Sequence, residues 1–133
     1  MPLEPIDLSS NGVRLCPDGR VVSEKHPMDG AAPGWTVAAV NAATAADVHG
    51  DHWEMHPDAE ELVAVLSGGI RMYLRPESTG APEDSVTVPA GNAVVVPRGR
   101  WHRVELDGPS RLLAITTRHH TRLDKRTGRH VDA

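Results

Sequence analysis

Phenylalanine is absent from this sequence of 133 residues, and the aromatic residues Trp and Tyr number only three and one. Basic residues are also few, because 14 Lys and Arg face 18 Asp and Glu, for a net charge of −4 at pH 7. Binding to a nucleic-acid backbone needs a basic surface, and binding to single strands usually needs aromatic rings on which bases stack. The composition therefore argues against a nucleic acid as the main partner.

Cysteine and long apolar runs are scarce as well. Cys16 is the only cysteine, which excludes an intrachain disulfide and the paired spacing of a zinc ribbon. No stretch approaches the roughly 20 apolar residues of a membrane span, and residues 1–12 lack the basic segment and apolar run of a secretory signal. We therefore expect a cytoplasmic protein with no membrane segment.

The length and the turn residues predict one small all-β domain. A chain of this size suits a single domain, and its 12 Gly and 11 Pro separate short apolar runs, which is typical of strands and turns. The predicted strands cover residues 35–41, 51–56, 62–66, 70–74, 85–88, 93–96, 101–106 and 112–117. They define a core over about 35–117, with an N-terminal arm at 1–34 and a polar C-terminal tail at 118–133.

The hydrophobic pattern of two strands indicates a sandwich or a barrel. Ile70, Met72 and Leu74 alternate with more polar residues, so their strand has one buried and one wetter face. Residues 93–96 are continuously apolar, as in a strand that is buried on both faces or that lines a filled interior. Residues 42–48 are rich in alanine, and both a loop and a helical turn remain open there.

Polar residues alternate along the strand predicted at 51–56. If this strand continues to its last residue, His52, Glu54 and His56 lie on one face. Neighbours on one face of a strand are roughly 7 Å apart, which lets Glu54 and His56 reach a common ion. Glu61 opens the next strand after a turn and can point toward the same interior. The pattern of Glu54, His56 and Glu61 is typical of side chains that chelate a metal ion.

The same stretch resembles the first motif of the cupin superfamily, which reads G-x5-H-x-H-x3,4-E-x6-G. His56, Glu61 and Gly68 match this motif at the required spacing. Glu54 stands where the family has its first His, and Val48 stands where it has the leading Gly.

The second cupin motif, G-x5-P-x-G-x2-H-x3-N, resembles the stretch that begins at Gly91. Pro97, Gly99 and His102 follow at the family spacing, with Leu106 in place of the Asn. The resemblance implies a double-stranded β-helix, or jelly-roll barrel, in a single cupin domain over residues 1–133.

The resemblance also implies a divalent metal ion bound by Glu54, His56, Glu61 and His102. Two carboxylates in an apolar barrel repel each other unless a cation or ordered water compensates, and a divalent ion does so directly. Two His and two carboxylates suit Fe, Mn, Ni or Zn, with iron or manganese favoured by the oxygen donors. If Glu54 does not ligate, the other three form a two-His, one-carboxylate set, and Glu54 becomes a base beside the metal.

Four further residues are predicted to line the substrate pocket: His52, Met72, Tyr73 and Arg100. Arg100 or Arg98 would attract an anionic substrate, although an exposed arginine is the simpler interpretation of both. For His52 the alternative is a position on the rim. The histidines of the tail are interpreted as surface residues that can bind metal adventitiously.

These features predict a metal-dependent enzyme that acts on a small molecule held in the barrel, with Glu54 or Glu61 as the catalytic residue that moves protons. Reactions of similar cupins include dioxygenation, isomerisation, lyase chemistry and cyclisation, and the sequence selects none of them. The alternatives are a non-catalytic module that binds or senses a small ligand and a metal-free storage-like or structural role. Similarity to other small cupins implies a homodimer.

Overall fold

The computed structural model describes residues 2–126, and its regular structure there consists of strands and one 3₁₀ turn. The strands are β1 (Asn11–Leu15), β2 (Val21–Lys25), β3 (Trp35–Ala42), β4 (His52–Met55), β5 (Glu61–Ser67), β6 (Gly69–Leu74), β7 (Asp84–Pro89), β8 (Ala93–Val96), β9 (His102–Leu106), β10 (Ser110–Thr116) and β11 (Arg122–Lys125). The 3₁₀ turn Ala45–Val48 falls within the alanine-rich segment whose structure the sequence leaves open. None of the described residues forms a helix long and apolar enough to cross a membrane.

The strands form two antiparallel sheets that pack face to face. One sheet has six strands in the order β2-β1-β3-β10-β5-β8, and the other has five in the order β11-β4-β9-β6-β7. Strands that are distant in sequence are therefore neighbours in space, as β3 and β10 are. This arrangement is the jelly-roll barrel predicted from the sequence, and the all-β assignment is confirmed.

Each of the eight predicted strands is present, with bounds that agree to within two residues. The sheets extend further than the predicted core, however. β1 and β2 lie in the segment predicted as an N-terminal arm, and β11 lies in the predicted tail. β11 has the polar sequence RLDK and is held by backbone pairing to β4, so it carries no apolar pattern that sequence reasoning could detect. His130, one of the tail histidines interpreted from the sequence as surface residues, lies outside the described residues.

The hydrophobic core lies between the two sheets. Its buried members are Val63, Val65, Ile70, Met72, Val88, Val96 and Leu112. They come from β5, β6, β7, β8 and β10, so both sheets contribute. The core fills one part of the barrel interior and leaves the remainder to polar side chains.

Three strands bring the polar side chains of the two motifs together. β4 and β9 are neighbours in the five-stranded sheet, where Glu54 pairs directly with His102. β5 lies in the opposite sheet, and its first residue is Glu61. Because strands in facing sheets present their inward side chains to a shared interior, the three residues meet inside the barrel.

Gly68 lies at the end of the first motif in a left-handed conformation, with φ +83°. A Cβ at this position would overlap the Ser110 hydroxyl and lie 2.5 Å from the Pro109 carbonyl oxygen. Gly91 has a similar φ of +84°, but a Cβ there would have no neighbour within 4 Å. An alanine at Gly91 would therefore introduce backbone strain alone, whereas an alanine at Gly68 would add steric crowding.

We predict that Gly91→Ala lowers the free energy of unfolding by about 1–2 kcal/mol, the cost of a left-handed backbone for an L-residue. Gly68→Ala should lower it by about 1–3 kcal/mol more, because its Cβ also overpacks the site. Urea unfolding of the wild type and both variants measures the difference. An equal loss of unfolding free energy in the two variants would contradict the predicted crowding at Gly68.

Candidate metal centre

Two imidazole nitrogens and two carboxylate oxygens converge on one point in the barrel. His56 Nε2 lies 3.3 Å from Glu54 Oε1 and 3.4 Å from Glu61 Oε1. His102 Nε2 lies 3.5 Å and 3.0 Å from the same two oxygens. His56, Glu61 and His102 are each 3% exposed, and only Glu54 retains access to solvent.

These separations fit a single metal ion. An ion about 2.1 Å from each donor holds neighbouring donors roughly 3.0–3.4 Å apart at octahedral or tetrahedral angles. One ligand atom from each of the four residues lies within 4.8 Å of all the others. The sequence-based prediction that the side chains at 56, 61 and 102 meet inside the rolled sheet agrees with this geometry.

The ring of His102 is oriented by its second nitrogen. His102 Nδ1 lies 3.4 Å from the backbone carbonyl oxygen of Arg100, which can only accept a hydrogen bond. Nδ1 therefore carries a hydrogen, and in the neutral ring Nε2 presents its lone pair toward Glu54 and Glu61. A lone pair that faces two carboxylates requires a proton or a cation between them.

The ring of His56 has a comparable environment. Its Nδ1 lies 2.8 Å from Thr121 Oγ1, which holds the ring in place. Its buried Nε2 makes no hydrogen bond to any residue in the described part of the chain. A buried polar atom without a partner is costly, and metal-bound histidines commonly donate their other nitrogen to a neighbouring oxygen in this way. The arrangement fits a metal ligand.

The electrostatic environment favours charge on all four side chains. Burial alone would lower the pKa of His102, but Glu54 and Glu61 outweigh it and raise that pKa to about 9. The pKa of His56 is raised by the same balance of causes. Burial would raise the pKa values of Glu54 and Glu61, but the two histidines, whose Nε2 atoms lie 3.0–3.5 Å from the carboxylate oxygens, outweigh burial and lower both. Without metal, protons occupy the place of the cation.

A cavity of about 140 Å³ opens beside this group and is lined by both polar and apolar side chains. Glu54, Glu61 and His102 contribute to one wall. The other walls are mainly apolar, from Val40, Val48, Val63, Val104, Leu112 and Ala114. The remaining lining residues are polar or charged: Asp47, His49, His52, Arg103 and Arg118. The cavity therefore suits a small ligand in contact with Glu54.

Only one of the four predicted pocket residues lines this cavity. His52 does so, with its Nδ1 2.7 Å from Asp51 Oδ1. Met72 packs in the hydrophobic core and borders a separate cavity between β6, β7 and β8. Tyr73, one position along β6, therefore points to the opposite face of the sheet, where its ring stacks under the Arg103 guanidinium at 3.9 Å.

Arg100 also lies outside the cavity lining. Its guanidinium pairs with Glu77 at 3.2 Å and donates a hydrogen bond to the Arg75 carbonyl oxygen. Two other arginines border the cavity: Arg103 on β9, and Arg118, which follows β10 and which the sequence places in the polar tail. Arg118 Nη1 lies 3.8 Å from Glu54 Oε2. No motif marks Arg118 or Thr121, so only the return of the chain over the site reveals them.

A second group of metal-ligating side chains lies at the surface. His119 Nδ1 and His120 Nδ1 lie 3.2 Å and 3.0 Å from Asp58 Oδ2. All three residues are exposed. These contacts fasten the segment after β10 to the loop between β4 and β5, which carries His56.

Comparison with known families assigns the fold. A family model described as a cupin domain matches residues 43–116, which is more than half of the chain. The chain belongs to the cupin family. The matched region contains all four converging donors and both motifs, so the sequence-based resemblance is confirmed. No curated protein matches the sequence.

Solved structures with the cupin fold include oxalate decarboxylases. A structure reported for the substrate binding mode and reaction specificity of oxalate decarboxylase aligns with a TM-score of 0.50 and 22% identity. A structure reported for the Mn(II) centres of Bacillus subtilis oxalate decarboxylase aligns with a TM-score of 0.51 and 22% identity. Each alignment covers 68% of this cupin but only 23% of the other chain. At this identity the similarity establishes the fold alone.

We predict opposite pH responses for stability without metal and for metal affinity. The raised His102 pKa stabilises the metal-free fold fully below pH 6.5, and this contribution is lost as the pH rises to about 9. The lowered carboxylate pKa values stabilise the fold above pH 4.5 and cease to do so as the pH falls. Metal must displace the histidine protons, so its affinity should increase between pH 6.5 and 9.

Thermal unfolding of chelator-treated protein and competition titrations with zinc, both over this pH range, measure the two trends. His49→Gln serves as a control, because this histidine lies at the cavity mouth but is not one of the converging donors. A zinc affinity that does not change across the range would contradict the assignment of protonated histidines to the metal-free site.

Proposed function

We propose that this cupin is a metal-dependent enzyme that acts on a small organic molecule in the barrel cavity. The main support is the orientation of His56 and His102, whose Nε2 atoms face the same two carboxylate oxygens at 3.0–3.5 Å. The cavity next to these atoms gives a ligand access to the site. The match to a cupin domain further supports the proposal, because the four converging donors lie within the matched region.

His56, Glu61 and His102 would hold the ion, and Glu54 would complete the set through Oε1. The metal, one of Fe, Mn, Ni or Zn, would supply Lewis-acid or redox chemistry to the bound substrate. Thr121 and the Arg100 carbonyl oxygen would keep the two rings oriented with Nε2 toward the ion. The apolar walls would exclude water from the substrate.

Glu54 is the better candidate for proton transfer. Glu61 is 3% exposed and both of its contacts to histidine use Oε1. The Glu54 side chain is more accessible, and its second oxygen, Oε2, faces Arg118 rather than the histidines. A carboxylate that has one oxygen toward the metal and another toward the cavity can accept a proton from substrate and return it to product. The reaction class would be dioxygenation, isomerisation, lyase chemistry or cyclisation.

We predict that Glu61→Gln lowers the metal content of protein purified without a His tag at least tenfold, because it removes the most buried carboxylate ligand. Glu60→Gln is the matched control, since Glu60 is the exposed neighbour in sequence. Glu54→Gln should retain metal on the other three ligands and lower turnover by about 10²- to 10⁴-fold, the usual contribution of a general base.

Elemental analysis gives the metal content, and NMR of a panel of small organic acids follows turnover. Wild-type protein without bound metal, or Glu61→Gln with the metal content of Glu60→Gln, would contradict the metal site. Metal and a bound ligand without turnover would favour a sensing module over an enzyme.

We also propose that the cupin forms a homodimer through the outer face of the six-stranded sheet. Leu62 and Val95 pair across β5 and β8, and Ala64 pairs with Leu113 of β10. Leu66, on the same face of β5, is exposed. Since the opposite face of these strands packs in the core, this sheet is apolar on both sides, whereas a solvated antiparallel sheet usually has one polar face. A second copy related by a two-fold axis would cover it.

Sedimentation equilibrium of the wild type and of Leu66→Lys tests this proposal. The wild type should be a dimer, and the variant should shift toward monomer because a charge at the contact costs desolvation. Leu123→Lys, an equally exposed leucine on β11 of the other sheet, is the control and should remain a dimer. A monomeric wild type, or a dimeric Leu66→Lys, would contradict the interface.

A further inference from the structure

Arg118 provides a cationic group on the cavity wall whose donors are largely unused. Its closest ionic contact is Glu54 Oε2 at 3.8 Å, which is too long for a hydrogen bond. Within residues 2–126 its guanidinium makes no hydrogen bond to another residue. The side chain is 35% exposed, so it is partly withdrawn from water without being neutralised. A guanidinium has five N–H donors that suit a planar anion.

The other charged side chains of the lining have partners among the described residues. Arg103 pairs with Glu105 at 3.4 Å, and its guanidinium lies 3.9 Å from the Tyr73 ring centre. Asp47 is exposed, and its Oδ2 accepts hydrogen bonds from the backbone N–H groups of Ala43 and Thr44. His52 is paired with Asp51. In the proposed metal-loaded site, a divalent ion would balance the two charges of Glu54 and Glu61. Among residues 2–126, Arg118 would then be the cationic side chain of the lining whose nearest carboxylate is already engaged by the ion.

The position of Arg118 relative to Glu54 determines where a bound anion would lie in the cavity. Glu54 Oε1 faces both histidine Nε2 atoms, and Oε2 faces Arg118. The guanidinium therefore lies on the side of Glu54 away from the histidines and borders the same cavity. A molecule between the proposed ion and Arg118 would contact Glu54, which is the group proposed to transfer the proton.

The cavity walls limit the rest of such a molecule. Six of the fourteen lining residues are aliphatic, from Val40 to Ala114, and none is Trp or Tyr, so the body of the ligand should be aliphatic. The volume of about 140 Å³ is smaller than that of the pockets that bind drug-sized molecules, about 300–1,000 Å³. The ligand should therefore contain only a few carbon atoms in addition to its anionic group.

We propose that the cavity binds a short-chain aliphatic carboxylate and that Arg118 determines this specificity by pairing with the carboxylate group. This inference rests on the proposed function, because it names the substrate class of the same site. Arg118 acts as a binding residue here, and the arginine predicted from the sequence for an anionic substrate, Arg100, is engaged with Glu77 instead.

Isothermal titration calorimetry with butyrate and with butyramide tests the proposal on zinc-saturated protein. The two probes have nearly the same shape and differ in charge. The wild type should bind butyrate at least tenfold more tightly than butyramide. Arg118→Gln should remove this preference and leave butyramide binding unchanged, whereas Arg118→Lys should retain part of it through its charge. Arg20→Gln, which removes an exposed arginine paired with Asp18, is the control.

The outcomes separate this inference from the proposed function, because zinc affinity is measured independently for each variant. Zinc binding without a preference for butyrate, or a preference that persists in Arg118→Gln, overturns the inference and leaves the metal site intact. If zinc does not bind, the metal site fails. The same titrations on metal-free protein then decide the inference: a tenfold preference that Arg118→Gln loses and Arg20→Gln retains supports it, and any other result overturns it. Thermal unfolding verifies that each variant is folded.

Discussion

The structure of this cupin depends on how one buried and one half-buried carboxylate can be held beside two imidazoles inside an apolar barrel. Glu61 is almost inaccessible to water, and an isolated carboxylate in such a place would be strongly disfavoured. His56 and His102 remove this cost by approaching within 3.4 Å of its Oε1 atom. The negative charge of the carboxylates can be compensated by protons on the imidazole rings or by a cation among the four donors. The same arrangement that permits burial therefore creates a metal site.

The jelly roll supplies the precision that this balance requires. Glu54 and His102 are opposite each other on adjacent strands of one sheet, and Glu61 begins a strand of the facing sheet. Three of the four donors thus lie on strands that are hydrogen bonded to their neighbours, and His56 follows directly after β4. The hydrophobic core around Val65 and Ile70 fixes the distance between the sheets and with it the separation of the donors. Packing far from the site thereby determines its dimensions.

The segment after β10 closes the site and adds chemistry that the motifs do not contain. Arg118 borders the cavity, and Thr121 contacts His56. Between them, two surface histidines contact Asp58 on the loop that follows His56. The chain then pairs with β4 as β11. A segment that is polar throughout is held here by hydrogen bonds and ion pairs at the barrel mouth, where an apolar pattern would offer no advantage.

The sequence by itself determined the barrel and the four converging donors. Alternation along the strands and the turn residues express local geometry and the two-residue period of a strand, which survive folding and indicate an all-β sandwich or barrel. The jelly roll and the convergence of Glu54, His56, Glu61 and His102 followed from the resemblance to the two cupin motifs. Only the tertiary structure decided which other side chains reach the cavity. Met72 turned into the core and Arg100 toward Glu77, while Arg118 reached the cavity wall. Those positions depend on strand pairing and on the path of the chain after β10, and contacts between residues far apart in sequence leave no periodic pattern.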